Sequence, residues 1–239
     1  MFSVFKEAIE SVGGLPGEFL TEEIVRRLYI HTSELLEAGK VMNLTAITDV
    51  GDAARLHAAD SLFAARAIAK LSQGKDTALI DVGSGGGCPA LPIAIALPNV
   101  SVTALDATAK KCEFIALAAA KCDVKVGTLP ERAEEAAAKY RESFDFASAR
   151  AVARLNALLE LCVPFVKVGG YFVAMKGSAA NEEAEEAKRA AKTLGVTLSD
   201  TVDYEIEGGG ARHILIYKKV APTPPAYPRR YAQIKKKPL

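Results

Sequence analysis

Chemistry is concentrated in one stretch, Leu79-Ile80-Asp81-Val82-Gly83-Ser84-Gly85-Gly86-Gly87-Cys88-Pro89. A short apolar run ends in an acid, breaks into glycines and restarts as an apolar segment with prolines, the pattern of strand, tight turn and helix. Without a Cβ, Gly83, Gly85 and Gly87 let the backbone take left-handed torsions and approach a ligand closely, and the helix that follows offers free N–H groups. Such a turn binds something, and the neighbouring residues narrow what.

A dinucleotide turn reads GxGxxG, and here Cys88 stands where the third glycine belongs. The residues instead spell DxGxGxG from Asp81 to Gly87, which resembles the first motif of S-adenosylmethionine-dependent methyltransferases. A second strand-like run, Val100 to Leu105, ends at Asp106 about twenty residues further on, where a carboxylate can accept both hydroxyls of an adenosine ribose. NAD is held by the same device, so an NAD-linked oxidoreductase stands as the rival reading. The absence of glycine at position 88 favours a sulfonium amino-acid nucleoside over a pyrophosphate.

The elements that must position these residues follow from periodicity. Residues 1–73 carry a helical rhythm, with Ile24, Leu28, Leu35 and Leu36 at helical spacing, and are expected to form an N-terminal helical subdomain. Within it, Asn43-Leu44-Thr45 lies in a break between helices, and His57 and Asp60 share one helix face. Beyond Ala78 the period changes. Strand-like runs at 78–82, 100–105, 123–126, 144–147, 171–175, 202–206 and 213–220 alternate with helical segments, which predicts a parallel sheet covered on both faces across residues 74–221. Between the last two runs only Glu207 to Arg212 intervene, too few for a helical crossover, so the final strand is expected to be antiparallel through a hairpin at Gly208-Gly209-Gly210. Residues 181–192 read as one charged, solvated helix. Residues 222–239, with Pro222, Pro224, Pro225 and Pro228, read as an extended basic tail.

Composition sets the class. At 239 residues and 50% hydrophobic, one large α/β domain with an appendage is expected, and the net charge of +1 excludes no partner by itself. Its distribution is more informative: no acid follows Glu207, whereas Arg212, Lys218, Lys219, Arg229, Arg230, Lys235, Lys236 and Lys237 accumulate, either as a solvated tail or as a phosphate contact. Glu7 and Glu10 interrupt any secretory signal, and the most apolar stretch is too short to span a bilayer. Four isolated cysteines, Cys88, Cys112, Cys122 and Cys162, indicate neither disulfides nor a metal site and fit a reducing cytosol.

Assembled in order, Asn43-Leu44-Thr45-Ala46-Ile47-Thr48, His57 with Asp60-Ser61, Asp81 through Pro92, Asp106, Arg132-Ala133-Glu134, Ser148-Ala149-Arg150-Ala151, Lys176-Gly177 and the ending Tyr227-Pro228-Arg229-Arg230 with Lys236-Lys237-Pro238-Leu239 resemble the bacterial small-subunit ribosomal RNA methyltransferase G family, also called glucose-inhibited division protein B. The resemblance implies a Rossmann-like class I fold with a seven-stranded, mostly parallel sheet. It also implies methyl transfer from S-adenosylmethionine to N7 of one guanine in 16S rRNA, as free RNA or in a small ribosomal subunit under assembly, by a cytosolic monomer. By the same match, Gly83, Cys88, Ala133, Glu134 and Arg150 line the cofactor site, joined by Asp81, Gly85 and Gly87 of the turn and by Asp106. Asn43, His57 and Asp60 would form the RNA-facing wall. N7 carries an in-plane lone pair and no proton, so no general base is expected; since the product guanine is cationic, Arg132, Arg150 and Lys176 are expected to grip RNA phosphate or the O6 edge. The chain departs from the family pattern at Glu37-Ala38-Gly39-Lys40, at Cys88 and at Tyr231-Ala232-Gln233-Ile234. A ribosome-binding protein without catalysis and a small-molecule methyltransferase are the further alternatives.

Overall fold

Seven strands order themselves as β3-β2-β1-β4-β5-β7-β6 in a computed structural model that describes residues 1–239. They are β1 (Thr77–Val82), β2 (Val100–Leu105), β3 (Val126–Leu129), β4 (Phe144–Arg150), β5 (Val166–Lys176), β6 (Val196–Ile206) and β7 (Gly210–Lys219). The pairs β1–β2, β2–β3, β1–β4 and β4–β5 are parallel, while β7 runs antiparallel to both β5 and β6. The order reverses between β1 and β4, and the crevice at their carboxyl ends is where such sheets bind ligands.

Six helices precede or flank one face. They are α1 (Phe2–Glu10), α2 (Glu22–Gly39), α3 (Val50–Ala53), α4 (Asp60–Ser72) and, after the glycine turn, α5 (Ala90–Ala96), with α6 (Ala109–Lys121) following β2. Thr21 caps α2 through Ile24 N–H, and Glu22 and Glu23 complement the positive end of its dipole. Its buried stripe, Val25, Leu28, His31, Thr32 and Leu35, follows the helical period. These helices share one apolar core with Leu79, Val102, Phe146 and Ile214 of the sheet, so the N-terminal helices are packed as a layer of the sheet itself. The opposite face is covered by α7 (Ala133–Lys139), α8 (Leu155–Cys162), α9 (Ala180–Glu186), α10 (Lys188–Leu194) and α11 (Tyr231–Lys236). No helix is long and apolar enough to cross a membrane.

Five sequence expectations shift. The third strand begins at Val126, because Asp123 takes φ +53° and Val124 N–H closes the end of α6 on Ala119 O. The helix carrying His57 is a π-turn over Ala54–Ala59 between α3 and α4, a local widening often seen where a side chain must be re-aimed. The charged helix divides at Ala187, and β6 starts six residues earlier than its apolar alternation shows because its first half is a polar edge. The tail is anchored rather than extended: Arg229 donates from Nε (2.8 Å) and Nη2 (2.6 Å) to the fully buried Glu160, and Ile234 of α11 is buried on α8.

Candidate functional site

The glycine turn after β1 opens on a cavity of about 530 Å³. Gly83 and Gly85 line it at φ +75° and +55°, and a Cβ at Gly85 would meet nothing closer than Gly83 O at 3.9 Å, so it would project into the cleft. Behind the turn, His31 of α2 holds its carbonyl in place by donating Nε2–H to Gly86 O (2.9 Å). Burial lowers the His31 pKa to about 4, so the ring is neutral and acts as a fixed prop.

Asp106 lies at the carboxyl end of β2, on the same cavity. Its Oδ2 accepts Gly85 N–H (3.1 Å) and its Oδ1 accepts Thr108 N–H (2.9 Å), which leaves a lone pair on each oxygen for an incoming hydroxyl. Past Asp106 the cleft continues as a smaller slot of about 130 Å³, walled by Leu105, Ala107, Val152, Leu161 and Tyr231. Arg132, Ala133 and Glu134 stand at its rim. A carboxylate with free lone pairs and an apolar slot therefore lie side by side at the end of β2.

Two expected cofactor residues lie behind this surface. Gly87 faces Leu91 and His31, and Asp81 is buried within the sheet, where its Oδ1 accepts Ser148 Oγ–H (2.8 Å) and its Oδ2 has no partner. Burial, opposed in part by the Ser148 hydrogen bond, pushes the Asp81 carboxyl up to about 6. Raised in the fold, this group contributes stability that is present below its ordinary value of about 4 and lost as pH rises through 6. The ionised form then opposes folding at neutral pH by on the order of 2–3 kcal/mol. Asp81→Asn is accordingly expected to raise the urea midpoint more at about pH 7.5 than at about pH 5. An equal shift at both pH values would show that the carboxyl is not strained by burial.

At the other end of the cavity four elements converge on Arg150, at the end of β4. Its Nη1 donates to Asp60 Oδ2 (2.9 Å) and Leu56 O (3.0 Å), and its Nη2 donates to His57 Nδ1 (3.1 Å). Since Nδ1 accepts, the imidazole proton sits on Nε2 and is donated to Thr45 Oγ1 (2.7 Å). Burial first, and the Arg150 charge second, lower the His57 pKa to about 3. Tyr204 of β6 donates its hydroxyl to Asp60 Oδ1 (2.8 Å), which completes the carboxylate's partners. His57 and Asp60 do lie together as their spacing predicted, but they serve the guanidinium. Asn43 is exposed and lines neither this cavity nor the next.

Beyond Arg150 a second cavity of about 400 Å³ opens, sharing Asp60, Arg150, Ala151, Val152 and Arg212 with the first. Ala151 holds φ +56° there, a strained torsion for a residue with a Cβ. Lys176 reaches this cavity, yet its charge is taken by Glu183 (2.7 Å) and Ala153 O (2.7 Å), so it fastens the loop after β4. Arg212 of β7 is the cation the sequence singled out only as part of a basic block: it faces both cavities, has no acidic partner, and its Nε is buried without an acceptor. Cys88 lines the first cavity as a wall residue, its thiol pKa raised by burial.

A seven-stranded sheet with one inserted antiparallel strand, and a cleft at its switch point, give the fold of a Rossmann-like methyltransferase. Two solved structures share this fold: a candidate sarcosine dimethylglycine methyltransferase from Galdieria sulphuraria (TM-score 0.55, 12% identity, 72% of this chain and 88% of that one) and a candidate RNA methyltransferase from Pyrococcus horikoshii (TM-score 0.52, 12% identity, 80% and 99%). The family profile of GidB, rRNA small subunit methyltransferase G, matches residues 24–215. The ribosomal RNA small subunit methyltransferase G of Leuconostoc citreum is 41% identical over 98% of both chains. The chain belongs to the rRNA small subunit methyltransferase G family.

Proposed function

We propose that this protein transfers the methyl group of S-adenosylmethionine to N7 of one guanine in 16S rRNA, as RNA or within a small ribosomal subunit under assembly, and that it does so as a cytosolic monomer without a general base. The observation that carries this reading is the state of the acceptors at the aperture between the two cavities. Both nitrogens of His57 and both oxygens of Asp60 are already engaged, and His57 stays unprotonated at any physiological pH. A site so arranged can take no proton from a nucleophile there, which suits a ring nitrogen with a free lone pair and disfavours exocyclic amines.

S-adenosylmethionine, when bound, supplies an electrophilic methyl on a sulfonium. The chain's own work is alignment, worth effective molarities on the order of 10⁵ M or more. Asp106 accepts the ribose hydroxyls, the slot beyond it takes the adenine, and the Gly83–Gly85 backbone approaches the amino-acid end. Arg150, fixed by three acceptors, forms a rigid wall on the substrate side. The anchored tail brings Tyr231 over the adenine slot. Tyr231→Ala is expected to weaken S-adenosylhomocysteine binding by roughly threefold to tenfold in calorimetry, with Tyr231→Phe restoring it. Equal affinity in the Ala variant would place the adenine elsewhere.

Labelled S-adenosylmethionine incubated with small subunits from cells lacking the protein, followed by digestion to nucleosides, tests the reaction. Label is expected in 7-methylguanosine alone; label in any other nucleoside overturns the assignment.

A further inference from the structure

The walls of the second cavity are chemically asymmetric. Five residues, among them Arg150 and Arg212, belong also to the first cavity and so mark the side that faces the glycine turn. The far wall carries Lys176, Met175 and Glu183, and Glu183 is the only carboxylate there. Its Oε2 is occupied by Lys176 Nζ (2.7 Å) and by Leu155 N–H (2.7 Å). Its Oε1 accepts nothing. With Oε2 tied to a lysine and to the first turn of α8, that free oxygen has a fixed position, and the side chain is only 14% exposed. The neighbouring cation Arg154 is already spent on Glu182 (3.2 Å) and Glu186 (2.7 Å), so it offers no competing partner.

We infer that this cavity is a pocket for a guanine extruded from its RNA strand, and that Glu183 is the residue that selects guanine, accepting N1–H and N2–H while Arg212 donates to O6. The inference rests on the function proposed above. Guanine carries acceptors N7 and O6 on one edge and donors N1–H and N2–H on another. If N7 points through the shared aperture toward the glycine turn, O6 lies beside that aperture and the two donors point to the far wall. Arg212, unpartnered at the aperture, meets O6; Glu183 Oε1, unpartnered on the far wall, meets the donors. Met175, Val152 and Ala153 provide apolar surface for the ring faces. Adenine inverts both contacts: its N6 amino group would face the Arg212 guanidinium and its N1 lone pair would face a carboxylate. Enzymes that modify single bases read an extruded base in this manner. The placement also keeps the pocket's one free carboxylate oxygen away from the methyl-accepting edge, so it cannot serve as a base for the transfer.

The test uses small subunits reconstituted with 16S RNA that carries either guanosine or inosine at the methylated position, that position being mapped first with the wild-type enzyme. Inosine keeps O6 and N1–H and lacks only the N2 amino group. Wild-type enzyme is expected to methylate the inosine substrate with kcat/KM reduced roughly tenfold or more, the effect of one hydrogen bond to a charged group. Glu183→Gln is expected to bring guanosine and inosine to within about threefold of each other, by slowing guanosine, while its S-adenosylhomocysteine affinity stays at the wild-type value. A purely structural role for Glu183 would slow both substrates alike and preserve their ratio. An unchanged guanosine-to-inosine ratio in Glu183→Gln, or a wild-type enzyme indifferent to the N2 amino group, overturns the inference while leaving N7 methylation intact. Failure of the wild-type enzyme to form 7-methylguanosine at any position overturns the proposed function, and this pocket assignment with it.

Discussion

Arg150→Met is expected to lower the unfolding free energy by about 3–5 kcal/mol, read as a shift of the urea midpoint, and to remove methyl transfer. The substitution keeps an unbranched apolar stem and removes the guanidinium with all its donors. Asp60 is 4% exposed on its side chain and would be left as a buried carboxylate whose only remaining donor is the Tyr204 hydroxyl. His57 Nδ1 and Leu56 O would lose their donor as well. Breaking one partner of a buried pair is costly because the other stays charged in a poor solvent. Arg150→Lys separates charge from geometry: one ammonium group cannot serve three acceptors set around a planar fork, so about half or more of the loss is expected to persist. An Arg150→Met protein as stable as the wild type would mean that the guanidinium is a surface cation and that the wall between the cavities is held by something else.

The second large effect falls on the glycine turn. Gly83 takes φ +75°, and a Cβ there would stand 2.6 Å from Val152 Cγ2, a residue that walls both cavities and the apolar slot. Gly83→Ala therefore strains the turn and displaces the loop after β4 at once. The torsional strain alone is about 1–3 kcal/mol, so S-adenosylhomocysteine affinity is expected to fall on the order of tenfold to a hundredfold. Gly13 supplies the control, since a Cβ at that position meets nothing within 4 Å and its φ is not left-handed. Calorimetry on the two variants should show binding lost in the first and kept in the second. Equal affinities would place the nucleoside away from this turn.

What the sequence disclosed was local. The turn from Asp81 to Cys88, Asp106 at the end of its strand and the antiparallel return of the last strand are each encoded within a few residues by glycine, acid and period. The same locality misled where a residue's side of the backbone mattered: Asp81 and Gly87 belong to the motif but face the protein interior. The aperture was legible only through family resemblance, because Arg150 meets Asp60 across 90 residues and Tyr204 meets Asp60 across 144. No periodicity carries that information. His31, a histidine in the middle of an amphipathic stripe, gave no signal that it supports the turn. Lys176 looked like a free cation at a strand end, and only the fold shows that Glu183 takes its charge. Tyr231 lay in a tail that read as extended, since one buried ion pair between Arg229 and Glu160 has no trace in composition.

The decisive measurement is chemical cleavage at 7-methylguanosine in 16S rRNA from a strain deleted for this gene, beside its parent and the deletion strain complemented with the wild-type gene. One cleavage site is expected to vanish on deletion and to return on complementation. An identical cleavage pattern in parent and deletion strains would contradict the account.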